Sequence, residues 1–148
     1  MKSLIAAVLM LVGTSAWACP ALEGEYVCKG EYFDSQIKIT TTYDNETLVY
    51  NVNGREIRAD GEIHKYEVGE DETLYKGYQR AACKDGVVRT LVVADILHFG
   101  ETLEGDLRMA ETMSLGKAGS LIYGEHKIYR YMNGKSDVVE NERTCSRK

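Results

Sequence analysis

Proline is almost missing here. Pro20 is the only one in 148 residues, so neither a proline-rich linker nor a polyproline segment divides the chain. Beyond residue 12 no apolar run approaches the roughly 20 residues that a membrane helix needs. Basic excess is missing too. The formal net charge is −5 with no block of like charges, which argues against a nucleic-acid partner, because such binding rests on basic patches that release counterions from phosphate. Motifs of catalysis are equally scarce. The chain has no G-x-S-x-G elbow, no P-loop, no H-E-x-x-H and no dinucleotide fingerprint. Three histidines, His64, His98 and His126, never stand at i, i+2 on a strand, and no C-x-x-C pair occurs. No metal or cofactor is therefore expected.

What is present begins with an address. Lys2, an apolar run Leu4–Val12 and the small-residue stretch ending Ala16-Trp17-Ala18 have the order of a secretory signal, with Ala16 and Ala18 matching the A-x-A cleavage rule. Residues 1–18 are read as a removed signal peptide and 19–148 as one domain, periplasmic or secreted. Removal takes Lys2 and no acid, so −5 becomes −6, and it takes Trp17, the only tryptophan. A lipoprotein signal would put Leu-small-small before Cys19, whereas Trp17 is bulky and the leucine is missing. All four cysteines, Cys19, Cys28, Cys83 and Cys145, fall in the exported part. An even count in a small exported domain reads as two disulfides. A straight first strand would hold Cys19 too far from Cys28 for a bridge, which favours cross-strand pairs; a link from Cys28 or Cys19 to Cys145 would join the first and last strands.

Ten tyrosines, with many valines, isoleucines and threonines, make a β composition. Leu22, Gly24, Tyr26 and Cys28 alternate with Glu23, Glu25, Val27 and Lys29, the period of two of a half-buried strand. Asn53-Gly54, Asp60-Gly61, Asp85-Gly86 and Asn133-Gly134 each signal a tight reversal. Asp60-Gly61 is read as one more hairpin, joining 55–59 to 62–68. The expected fold is all-β: an antiparallel meander of about eight or nine strands, with one or two segments merged, in a closed or nearly closed barrel that leaves no hazardous edges.

Two strand faces suggest a site. Val88, Thr90, Val92, Ala94, Ile96 and His98 share one; Leu107, Met109, Glu111, Met113 and Leu115 share another. A carboxylate among apolar neighbours must be paired or hydrogen-bonded to be buried, so Glu111 reads either as a structural pair or as the polar anchor of a ligand cavity. Tyr123, Tyr129 and Tyr131 share a face as well, as sheet packing or as a binding surface. Asn45-Glu46-Thr47 matches a glycosylation sequon, read here as chance.

The Leu22-x-Gly24-x-Tyr26 opening, the meander and Arg143 on the last strand resemble the lipocalin-type calycin barrels, whose first strand carries Gly-x-Trp with a final-strand arginine packed across it; Tyr26 stands in the tryptophan's place. That resemblance implies a small apolar ligand in the barrel mouth. Tyr26-Val27-Cys28-Lys29-Gly30, Gly119-Ser120-Leu121-Ile122-Tyr123 and Tyr131-Met132-Asn133-Gly134 are similar to small periplasmic inhibitors of c-type lysozyme. There the order Gly-Ser replaces the family's Ser-Gly, and Asn133 replaces its lysine, with Lys135 nearby. The expected function is an exported, non-catalytic binding module holding a small apolar or amphipathic molecule through Glu111, Met109, Met113 and Tyr26. The alternative is a protein inhibitor or interaction domain acting through Ser120, Tyr123, Asn133 and Lys135. A monomer is expected.

Overall fold

Asn53 and Gly54 both adopt positive φ, 50° and 90°, as do Asp85 and Gly86 at 53° and 73°. Two consecutive left-handed residues reverse a chain with the twist that antiparallel strands need, which is why Asn-Gly and Asp-Gly mark hairpins. Reversals of this kind cut the chain into ten strands, one or two more than expected, in a computed structural model that describes residues 19–148. They are β1 (Gly24–Cys28), β2 (Ser35–Asp44), β3 (Thr47–Val52), β4 (Arg55–Arg58), β5 (Ile63–Glu70), β6 (Thr73–Lys84), β7 (Val87–His98), β8 (Thr102–Leu115), β9 (Leu121–Tyr131) and β10 (Ser136–Arg147). The leader expected over residues 1–18 lies outside the described residues. Among those described, no helix is long and apolar enough to cross a membrane.

All ten strands belong to one antiparallel sheet in the order β4-β3-β2-β1-β10-β9-β8-β7-β6-β5. The expected all-β meander is thus the observed one, rolled into a nearly closed barrel. One expected hairpin is absent. β4 pairs with β3 and β5 with β6, so Asp60-Gly61 joins the two edges of the sheet rather than a hairpin. The turn is real, but its neighbour is β6: the Gly61 amide donates to the Ala81 carbonyl at 2.8 Å, while Asp60 accepts the Glu62 amide at 2.9 Å. A turn signal reports a local bend and carries no information about partners. Across this seam the Gln79 side-chain amide donates to the Glu56 carbonyl at 2.8 Å, standing in for a ladder bond.

Strand length divides the barrel into two ends. β1, β3 and β4 have 5, 6 and 4 residues, whereas β6 to β10 have 11 to 14. Where short and long strands overlap, the interior is filled by Leu22, Tyr26, Ile39, Tyr50, Ile57 and Met113 with Val88, Leu121 and others. This end is stapled by Cys28–Cys145, ladder partners on β1 and β10, and by Cys19–Cys83. The first bridge is one that the sequence allowed, and no Cys19–Cys28 bridge forms. Cys19 Sγ is committed to Cys83. The arginine that crosses the start of β1 is Arg147, donating to the Glu23 carbonyl at 2.8 Å; Arg143 points instead to Ser35 Oγ, 3.4 Å away.

Beyond the short strands the sheet continues on one side only. Tyr66, Val92, Ala94, Ile96, Leu107 and Met109 form a second cluster there, drawn from β5, β7 and β8, with Val68, Tyr75, Tyr129 and Tyr131 half-buried against it. Nothing from β1 to β4 joins it. The long strands coil tightly at this end. A Cβ on Gly77 or Gly105 would lie 2.1 Å from the carbonyl oxygen of Val93 or Arg130, so only glycine permits the approach. Val88 to Ile96 and Leu107 to Met113 alternate inward as expected. His98 leaves its row because the β7–β8 register shifts between Ile96 and Leu97, and Leu115 is exposed where β8 runs past the filled end.

Candidate functional site

Between the two clusters lies a polar belt built from residues far apart in sequence. Glu111, whose side chain is only 3% exposed, points inward from the middle of β8, and Arg55 reaches it from the first position of β4 on the opposite wall. Arg55 Nη2 pairs with Glu111 Oε1, and Arg55 Nη1 donates to Oε2 at 3.3 Å. Tyr123 on β9 donates its hydroxyl to the same Oε2 at 2.5 Å and lies 3.4 Å from Glu125 Oε2. Lys127, the next inward residue on β9, pairs with Glu125 Oε2 at 3.0 Å. The Arg55 guanidinium also lies over the Tyr66 ring, 5.9 Å from its centre, within reach of a cation–π attraction.

The electrostatics follow from this enclosure. Burial pushes the Tyr123 hydroxyl far above the ordinary phenol range, and the Glu111 charge beside it adds to the effect. Burial works to lower the Arg55 pKa, but the Glu111 charge and hydrogen bonds outweigh it and the net shift is upward. Burial likewise raises Tyr66, Tyr75 and Tyr129. Three buried side-chain atoms have no hydrogen-bond partner among the described residues: Arg55 Nε, Gln79 Oε1 and Thr90 Oγ1, the last on β7 directly opposite Glu111 in the ladder.

Above the belt, on the one-sided end, opens a cavity of about 300 Å³. Leu107 and Met109 form its apolar floor, Tyr66, Tyr75 and Tyr129 its walls, and Val52 and Asn53 of the β3–β4 turn its far rim. Glu111, Arg55, Tyr123 and Lys127 line it from the belt side. The volume lies at the lower bound for pockets that hold small molecules. The mixture of rings, aliphatic groups and charges suits an amphipathic guest better than a purely apolar one.

The structure thus separates the residues singled out from sequence. Glu111 and Met109 line the cavity. Tyr26 and Met113 do not: both are sealed in the filled end, and the Tyr26 hydroxyl donates to the Leu22 carbonyl at 2.8 Å. Tyr123, grouped with the interaction residues, faces inward and belongs to the belt. Ser120 precedes β9, its hydroxyl donating to the Lys117 carbonyl at 2.8 Å, while Asn133 and Lys135 follow β9 in an Asx turn. Eleven residues of strand, roughly 33 Å at 3.3 Å per residue, keep these two loops at opposite ends, so they form no common surface. His64 pairs with Asp60 at 2.8 Å, and His98 stacks near Phe99 with ring centres 4.3 Å apart. No cluster of three or more His, Cys, Asp or Glu side chains suited to a metal occurs among the described residues. Arg55, Tyr66, Tyr75, Glu125 and Lys127 were not singled out from sequence. Comparison with protein-family models, with curated proteins and with solved structures finds no match to this chain.

Proposed function

We propose that this protein is an exported, non-catalytic binding module that seats one small amphipathic molecule in the cavity at the one-sided end of its barrel. The observation that carries this reading is the contrast within one interior. Buried side chains from nine strands pack together at the stapled end, whereas the other end leaves about 300 Å³ directly against a preformed Arg55–Glu111–Tyr123 network. The guest's apolar part would rest on Leu107, Met109 and the Tyr75 and Tyr129 rings, and its polar group would meet the belt at Lys127 and Arg55 Nε. The likeness of Leu22-x-Gly24-x-Tyr26 to the lipocalin-type opening points the same way.

A fluorescent fatty-acid probe titrated into the protein, expressed with its own leader and purified after export, tests the reading. Saturable one-to-one binding is expected, lost in Met109→Trp, which fills the floor, and kept in Tyr43→Ser, an exposed site outside the cavity. Absence of saturation in the wild type, or equal binding by the Met109→Trp variant, refutes the assignment.

A further inference from the structure

The outer face of the barrel carries a second feature, independent of the cavity. Ladder register across β5 to β9 lines up Ile63, Arg80, Leu91, Ala110 and His126 in one row and Lys65, Tyr78, Val93, Arg108 and Ile128 in the next. A third row adds Ala82, Arg89, Thr112 and Gly124, and a fourth Lys84, Val87, Ser114 and Ile122. None of these eighteen positions is a carboxylate, although Asp and Glu outnumber Lys and Arg by 23 to 18 in the chain; the adjoining outward row, Glu67, Lys76, Asp95, Asp106 and Arg130, bounds the patch with acids, Glu67 pairing with Lys65 at 2.9 Å and Asp106 with Arg108 at 3.9 Å. Five of the eighteen are Lys or Arg. Within the four rows, Ile63 on the edge strand β5, Tyr78 on β6, and Leu91 and Val93 on β7 are 57 to 70% exposed, where alternation on a soluble sheet would place polar residues. Large apolar side chains held in water beside cations mark an interaction surface.

We infer that this face docks onto a lipid bilayer bearing anionic headgroups. Charge complementarity fits a negative surface. The exposed aliphatic and tyrosine side chains would enter the headgroup boundary, where apolar area and basic residues act together. The outside of a barrel offers convex shape and no groove, which a laterally uniform, deformable partner accepts. A polyanion without apolar parts would leave Ile63, Tyr78, Leu91 and Val93 unmatched. The Debye length of about 8 Å in physiological salt screens charges on the far side of the barrel, while Glu67, Asp95 and Asp106 in the adjoining row lie within it and confine the attraction to the four rows. The mouth of the cavity lies at the end of the barrel, so docking by its side would leave the mouth near the bilayer plane.

Sedimentation with vesicles tests this. The processed protein is expected to bind vesicles of phosphatidylglycerol and phosphatidylcholine in equal parts, to ignore vesicles of phosphatidylcholine alone, and to be released at about 0.5 M salt. Each Lys or Arg near an anionic surface strengthens partition by roughly five-fold, so Arg80→Gln with Arg108→Gln should weaken binding about 25-fold. Leu91→Ser with Val93→Ser should weaken it comparably, while Lys29→Gln, on the β1–β2 loop, changes it little. Unaltered thermal unfolding shows that these exposed substitutions leave the fold intact. Failure of the wild type to bind anionic vesicles, or equal binding by the Arg80/Arg108 variant, overturns the inference. Binding to soluble polyglutamate through Arg80 and Arg108, without binding to vesicles, would assign the face to an acidic protein instead. Probe binding in the cavity is read separately, so either result stands without the other.

Discussion

The two ends of this barrel are built from the same sheet and differ in what opposes it. At the stapled end every strand except β5 contributes to the interior, two disulfides cross it, and the side chains close on one another. At the other end β5 to β9 bend round a smaller buried cluster to which β1 to β4 add no side chain, and half-buried tyrosines line its open side. The difference teaches that a barrel need not be wide to be hollow. It is enough that one wall stops early. The packed core and the staples lie where both walls are present, and the cavity lies where one is missing.

Breaking the stapled end should have the largest effect. Cys28→Ala with Cys145→Ala removes a crosslink spanning 117 residues, and the chain-entropy relation then predicts a loss of about 4–5 kcal/mol in urea unfolding. A loss below about 1 kcal/mol would show that the first and last strands hold together without it. The belt comes next. Glu111→Leu leaves the Arg55 charge without its partner and should cost about 3 kcal/mol, the low end for a buried pair because Arg55 remains 20% exposed. Arg55→Met combined with Glu111→Leu should recover all but about 1 kcal/mol, since an apolar pair of similar volume replaces the ion pair. If the double variant is no more stable than the single, the belt does more than satisfy charge.

A matched pair of substitutions sharpens the contrast itself. Met113→Ala, inside the filled end, should cost about 3 kcal/mol, and Met109→Ala, beside the cavity, about 2 kcal/mol, because a site that already borders space loses fewer contacts. Equal costs would erase the distinction between the ends. The smallest effect concerns pH. Folding raises the pKa of Tyr123, Tyr66, Tyr75 and Tyr129 above the ordinary value of 10.0. The unfolded chain therefore releases these protons first, and the stability they contribute is complete below pH 10 and falls as pH rises above it. The urea midpoint should decline above pH 10, and less steeply in Tyr123→Phe. Parallel curves for the two proteins would show that Tyr123 carries no part of the decline.

Much of this architecture was readable in the residues because it is local. Asn53-Gly54 and Asp85-Gly86 fold back as their chemistry dictates, and the alternation from Leu107 to Met113 sends Glu111 inward. What could not be read is what lies opposite. Arg55 meets Glu111 across 56 residues and across the barrel, and no local pattern encodes that meeting. On β9, Ile122 and Ile128 are apolar on the outer face while Glu125 and Lys127 are charged on the inner one, so the period of two did not reveal that Tyr123 points inside. Tyr26 and Met113 share the apolar pattern of the Glu111 neighbourhood, but their places along the strands put them in the cluster at the stapled end. The four acid-free rows of the outer face are also invisible along the chain, since they arise only when five strands are set in register.

The strand order has one further consequence. Every pair of neighbours in the sheet is consecutive along the chain except β1 and β10, so the start of β1 and the end of β10 lie side by side while the sheet's open seam coincides with a continuous piece of backbone at residues 59–62. The connectivity is therefore that of a ring cut at one arbitrary point. A chain that began at Glu62, ran through Lys148 into Cys19 by a short linker and ended at Asp60 would keep every ladder and both bridges. It would turn the slowest contact to find, between strands more than 100 residues apart, into one more hairpin.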